Sequence, residues 1–191
     1  MNKKTVALTP EQYRIIIETI KRGFSYGGRE YQPNVRIASA LMLQANLGLR
    51  IGDVLRLRAC DIVKDGERFR LDIVEQKTEK RRFFTVPAPV VDFIEQYRES
   101  ANLGEFQRLF AVSERQIQKH LAAACAFLDL RGISTHSFRK FFATEIYINS
   151  GYNVELVRQL LQHSSATVTA RYIGIQQKQV EEALNNHICI F

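Results

Sequence analysis

Carboxylates do not cluster anywhere in this 191-residue sequence, and no close pair of histidines brackets a glutamate. Those absences remove the ligand sets from which two-metal and zinc hydrolytic centres are built, so neither metal nor cofactor is expected. No apolar run approaches a membrane span, and the start, Met1-Asn2-Lys3-Lys4-Thr5, lacks the apolar stretch of a signal peptide. A cytoplasmic location without a membrane partner is the expectation. Cysteine is scarce: Cys60, Cys125 and Cys189 are odd in number and widely separated, which suits reduced structural thiols rather than bridges or a zinc site. Internal repeats and low-complexity segments are missing too, and the length suits one domain with a substantial core. Negative charge is also in short supply. Lys plus Arg number 27 against 20 acidic residues, a net charge of +7. Such a balance favours a polyanionic partner through phosphate contacts and counterion release, although many ordinary basic proteins share it.

What is present reads as helix almost throughout, interrupted by one hairpin. Thr9-Pro10-Glu11 opens a helix with a hydroxyl cap and Pro in its first turn, and Tyr13, Ile16, Ile17 and Ile20 recur on one face. The Gly-containing stretch from Gly23 to Pro33 ends it, and a buried helix follows from Asn34 to Asn46. Arg68 to Val74 alternates as a strand does, and Arg82 to Val86 forms its partner, stopping at Pro87. Further helices are predicted at Val90–Ser100, Glu114–Leu128, Ser134–Ser150, Val154–Gln162, Ala166–Tyr172 and Gln177–Asn186, with Gly104, Gly132 and Gly151 marking breaks.

Six residues together suggest phosphate chemistry: Arg50, Lys77, His136, Arg139, His163 and Tyr172. Two guanidiniums can fork onto the non-bridging oxygens of a phosphodiester and offset the charge of its transition state. A lysine can protonate a departing oxygen, an imidazole can accept a proton, and a phenol can attack. His136 and Arg139, three apart after the hydroxyl-rich start Ser134-Thr135, share a helix face. Taken singly, each has an ordinary reading. Arg50 is a surface charge, His136 and Arg139 a solvated face, His163 a capping histidine and Tyr172 a packing residue. Lys80 rivals Lys77 as the acid. The cations Lys80, Arg81 and Arg82 suit either a hairpin lying against a nucleic-acid groove or a solvated edge that discourages aggregation.

In order and spacing, Leu47-Gly48-Leu49-Arg50, Lys77 on the hairpin, His136 with Arg139, and Leu161-Gln162-His163 followed nine positions later by Tyr172 resemble the catalytic domain of the tyrosine recombinase, or phage integrase, family. The resemblance runs from about Pro33 to about Leu184. It departs at Gln162, where the family usually has Gly, and at Lys140, where many members have a second His. It implies a mainly α fold with a small antiparallel sheet, and it divides the chain into an N-terminal helix and linker to about residue 32, a catalytic core at about 33–175 and a tail at about 176–191. It further implies site-specific recombination or integration of double-stranded DNA without metal or cofactor. In this scheme Tyr172 attacks to form a 3′-phosphotyrosyl link, Arg50 and Arg139 clamp the phosphate, and His163 helps hold a non-bridging oxygen. His136 is the base and Lys77 the acid. Asp53, three residues after Arg50, supports that arginine or caps a helix, and Lys80, Arg81, Arg82 and Lys140 face DNA. The expected assembly is a monomer when free and a homo-tetramer on DNA, with accessory DNA-bending proteins, in a prokaryotic cell. Its C-terminal segment Gln179–Leu184, with Ile188, Ile190 and Phe191, either docks on a neighbouring protomer or folds back. The additional helical DNA-binding domain that most members carry ahead of this region is not expected, so the chain is read as a fragment or a compact member. Two rivals use the same fold: a DNA-binding regulator without strand exchange, and a type IB topoisomerase-like enzyme that nicks and reseals.

Overall fold

A computed structural model describes residues 5–173 and residue 185. It is mainly helical, with two small antiparallel sheets, as the sequence leads one to expect. Two compact units are present, Met1–Phe142 and Ala143–Phe191, with the boundary inside helix α6.

The first unit begins with α1 (Pro10–Arg22), whose N-cap Thr9 and Gln12 exchange a capping box and whose Ile16, Ile17 and Ile20 are buried. A two-stranded sheet follows, β1 (Phe24–Tyr26) and β2 (Arg29–Tyr31), in the stretch that was expected only to end α1. Gly27 and Gly28 form its two-residue turn, both at positive φ, a geometry that glycine adopts without steric cost. Helix α2 (Val35–Leu47) is buried over much of its surface and is capped by Asn34. The short helix α3 (Ile51–Val54) and a 3₁₀ turn at Ala59–Asp61 precede a three-stranded sheet. Its order is β3 (Ile62–Asp65), β4 (Arg68–Val74), β5 (Arg81–Val86), so the expected hairpin carries one unforeseen edge strand. Helices α4 (Ala88–Ser100) and α5 (Glu114–Phe127) and the start of α6 (Thr135–Asn149) complete the unit. Its core joins Ile16, Ile20, Leu41, Leu47, Leu71, Ile94, Phe110, Ile117 and Phe138, and Tyr13 stacks on Phe141 with ring centroids 5.0 Å apart.

In the second unit, α7 (Val154–Leu161) is capped by the Asn153 side chain and buries Val157 and Leu161, and α8 (Ala166–Ile173) packs against it. The expected helix Gln177–Asn186 and the apolar tail lie outside the described residues, Asn185 apart. No described helix is long and apolar enough to cross a membrane.

Candidate active site

Arg50 owes its position to a helix stop. At Gly48, in the left-handed conformation at φ 62°, α2 ends; Leu49 is buried, and Arg50 is the extended residue that opens α3. A β-carbon on Gly48 would meet Phe142 at 2.4 Å, so glycine is required here for close approach as well as for backbone sign.

From that turn the Arg50 guanidinium reaches Glu75, donating from Nη1 to Oε2 at 2.5 Å. Glu75 is completely buried, just beyond the end of β4. Thr78 Oγ1 donates to the same oxygen at 2.7 Å, while Oε1 lies 3.7 Å from Arg82 Nε and 4.0 Å from Arg139 Nη1. Burial alone would raise the Glu75 carboxyl; the bonds from Thr78 and Arg50 and the charges of Arg82 and Arg50 outweigh it and hold the group below its ordinary value. Behind the carboxylate, Arg139 Nη1 donates to the Gly48 carbonyl and Arg82 Nη2 to the Leu47 carbonyl at 3.4 Å. Two guanidiniums thus meet the negative end of α2. Burial and the repulsion of Arg139 pull the Arg82 guanidinium down to about 10, which leaves it protonated at neutral pH. Three cations around one carboxylate leave a net positive charge, and Arg50, the half-exposed member, carries it to the surface.

Lys77 is exposed in the turn between β4 and β5. The turn is closed by Glu75 N–H to Lys80 O at 3.0 Å and Glu79 N–H to Glu75 O at 2.9 Å. It is tied down by the Gln76 amide, which donates to Asp53 Oδ1 at 2.9 Å. Arg50, Lys77 and His136 line one cleft of about 460 Å³ together with Gly52, Gln76 and Glu114. His136 stands in the first turn of α6, its amide donating to Ser134 Oγ at 3.2 Å. Desolvation, and then the charges of Arg139, Lys140, Arg50 and Lys77, hold its imidazole below the usual histidine value. A ring kept neutral among cations can accept a proton.

Two expectations are corrected here. Asp53 does not hold Arg50: its carboxylate fixes the Lys77 turn, and Glu75 binds the arginine instead. Arg82 is 1% exposed and belongs to the interior rather than to a DNA-facing edge. Lys140 donates from Nζ to the Thr5 carbonyl at 2.7 Å, an internal tie between α6 and the N-terminal segment. Lys80 and Arg81 are exposed, with Arg81 in a paired contact to Asp72 and stacked over Phe83 at 5.0 Å.

In the second unit His163 and Tyr172 lie together, half-buried, ring centroids 5.0 Å apart and nearly perpendicular. A reversal after α7 sets the histidine. Gln162 adopts the left-handed conformation at φ 54°, the His163 amide donates to Arg158 O at 3.0 Å, and Arg158 Nη1 donates back to the His163 carbonyl at 3.1 Å.

Sequence comparison decides the family. The model of the phage integrase family matches residues 7–179. The chain belongs to the phage integrase family. Among its relatives is a probable integrase/recombinase, YoeC, of Bacillus subtilis (strain 168), 32% identical over 145 residues that cover 72% of this chain and 77% of that protein. The tyrosine recombinase XerA of Pyrococcus furiosus is 24% identical over 186 residues, 93% of this chain and 60% of the relative. Solved structures share the fold. The catalytic domain of bacteriophage HP1 integrase superposes with a TM-score of 0.66 at 17% identity over 96% of both chains. XerH, solved as a post-cleavage complex with palindromic difH substrate, superposes with a TM-score of 0.69 at 19% identity, covering 96% of this chain and 54% of XerH. The chain spans only about half to three fifths of XerA and XerH. This integrase-family chain therefore has the fold of a tyrosine recombinase catalytic domain, the architecture that the sequence resemblance implies.

Proposed function

We propose that this integrase-family chain is a site-specific recombinase that cuts and rejoins double-stranded DNA through Tyr172, without metal or cofactor. The observation that carries the reading is the convergence of Arg50, Lys77 and His136 on one basic cleft, with Arg139 anchored beside Arg50's carboxylate partner. Tyr172 Oη attacks the phosphorus and its proton passes to His136. The bond from phosphorus to the 5′-oxygen breaks, and Lys77 protonates that oxygen, which leaves a 3′-phosphotyrosine and a free 5′-hydroxyl. Arg50 and His163 hold the non-bridging oxygens as charge builds on them, and Arg139, buried against the Gly48 carbonyl and Glu75, adds its positive charge from behind Arg50. Attack by a 5′-hydroxyl of a second strand reverses each bond change and frees Tyr172. Bond energy is conserved in the phosphotyrosine, so no nucleotide is consumed. Lys80 and Arg81 contact the DNA backbone, four protomers assemble on two duplexes with DNA-bending partners, and the chain acts as a single catalytic domain in a prokaryotic cytoplasm.

The test is a duplex carrying sequences that flank the gene, nicked beside the candidate site so that cleavage releases a short piece and traps the covalent complex, run with EDTA on a denaturing gel. A DNA-linked band from wild type and none from Tyr172→Phe is the expected result. Binding without a band points to the regulator. A band accompanied by relaxation of a plasmid with a single site points to the nicking and resealing enzyme.

A further inference from the structure

The ring of His163 is held from α8 as firmly as its backbone is held from α7. Its Nδ1 lies 3.1 Å from Thr169 Oγ1. Thr169 is completely buried, and the same hydroxyl lies 3.3 Å from the Ser165 carbonyl oxygen. A carbonyl oxygen has no proton to give. Both contacts are hydrogen bonds at once when the single hydroxyl proton goes to Ser165 and the threonine oxygen turns a lone pair towards His163. In that arrangement Nδ1 is the donor, carrying hydrogen in the neutral ring as well as in the imidazolium. Gain or loss of a proton is thereby confined to Nε2. Thr169 and Tyr172, three residues apart, share one face of α8, so the residue that orients the histidine and the candidate nucleophile are carried by the same turn.

We propose that Thr169 is a positioning residue that locks His163 as the Nδ1–H tautomer and so reserves Nε2 for the reacting phosphate. The inference rests on the reading above, in which His163 acts in cleavage. With Nδ1 committed, a neutral ring offers an acceptor at Nε2, and only a protonated ring offers a donor there. The hydroxyl is what decides the tautomer; a side chain of the same shape without it takes the threonine oxygen away from Nδ1 and lets the ring place its proton on Nε2.

The experiment uses the full chain with Thr169→Val, which keeps shape and removes the hydroxyl, and Thr169→Ser, which restores it. Ring nitrogens of the four histidines are labelled with nitrogen-15, and His163 is assigned by its loss in His163→Gln. Long-range proton–nitrogen spectra of the neutral wild-type ring are expected to show hydrogen on Nδ1, unchanged in Thr169→Ser and moved towards Nε2 in Thr169→Val. On the suicide duplex, Thr169→Val is expected to cleave at least about tenfold more slowly and Thr169→Ser within about threefold of wild type. Hydrogen on Nε2 in the wild type, or a tautomer that Thr169→Val does not move, overturns the proposal, as does slow cleavage in both variants with the tautomer unmoved. A tautomer that switches as expected while Thr169→Val and His163→Gln both cleave at the wild-type rate upholds the lock and instead overturns the reading of His163 as part of the site.

Discussion

At Glu75 one carboxylate faces guanidiniums from three parts of the first unit, and its removal leaves Arg82 buried with like charges close by. Glu75→Gln is expected to cost about 3 kcal/mol in urea unfolding, the range for breaking a buried ion pair, and to slow cleavage by releasing both Arg50 and Thr78. The sign with pH follows from the depressed carboxyl. Stability from Glu75 is fully present above the unfolded value of about 4.3 and is lost as pH falls through the lower folded value, so acid unfolding should be shallower in the glutamine variant. His136 is also depressed, but as a base. Its contribution is present above its unfolded value of about 6.5 and is lost as pH falls below it. Its ring protons, followed by NMR, should titrate below about 6.5 in the free protein and at higher pH once DNA phosphate offsets the surrounding cations. Gln162 shows why glycine is usual at that position: the turn that presents His163 needs a left-handed residue, and glutamine accepts it at a cost of about 1 kcal/mol.

Among elements, the turn from α2 into α3 and the turn from β4 into β5 position the cleft. Gly48→Ala would drive a methyl into Phe142 at a positive φ, and a loss of about 2 kcal/mol or more is expected in thermal or urea unfolding. The second turn separates the two candidate acids. If Lys77 protonates the leaving 5′-oxygen, a duplex with sulfur at that position, whose thiolate leaves unaided, should restore cleavage to Lys77→Ala; Lys80→Ala should need no such rescue. Strand parity already assigned both interior charges. Leu71, Ile73 and Glu75 alternate on one face of the first strand and its continuation, and Arg82, Phe84 and Val86 on the facing side of the second, with Ile73 opposite Arg82. Grouping Arg82 with Lys80 and Arg81 by charge overlooked that period of two. The Gly27-Gly28 hairpin was equally readable, since two glycines between short aromatic-bearing runs mark a two-residue turn. Strand β3 was not readable, because Ile62–Asp65 is short, mixed in polarity and stabilised by its pairing with β4.

For the molecule as a whole, a net charge of +7 predicts DNA binding that weakens linearly in a plot of log affinity against log salt. Lys80→Ala should lower that slope by about 0.9 in a fluorescence anisotropy titration, because one fewer phosphate is neutralised, without changing sequence preference. A variant whose slope equals that of wild type would remove the lysine from the interface. Among the surface cations, Arg81 is the weaker candidate for such a role because Asp72 already occupies its fork.

The sequence alone determined the family and the run of helices, and it named the candidates for the reacting groups. Side-chain chemistry, helical period and spacing along the chain are local properties, and local properties survive in one dimension. Tertiary structure decided which charges are buried and what each one holds. Glu75 in place of Asp53 as the partner of Arg50, Arg82 drawn inside, and Lys140 tied to Thr5 all depend on distances between residues far apart in sequence. A guanidinium's role is set by what surrounds it once water has been excluded, and only folding creates those surroundings.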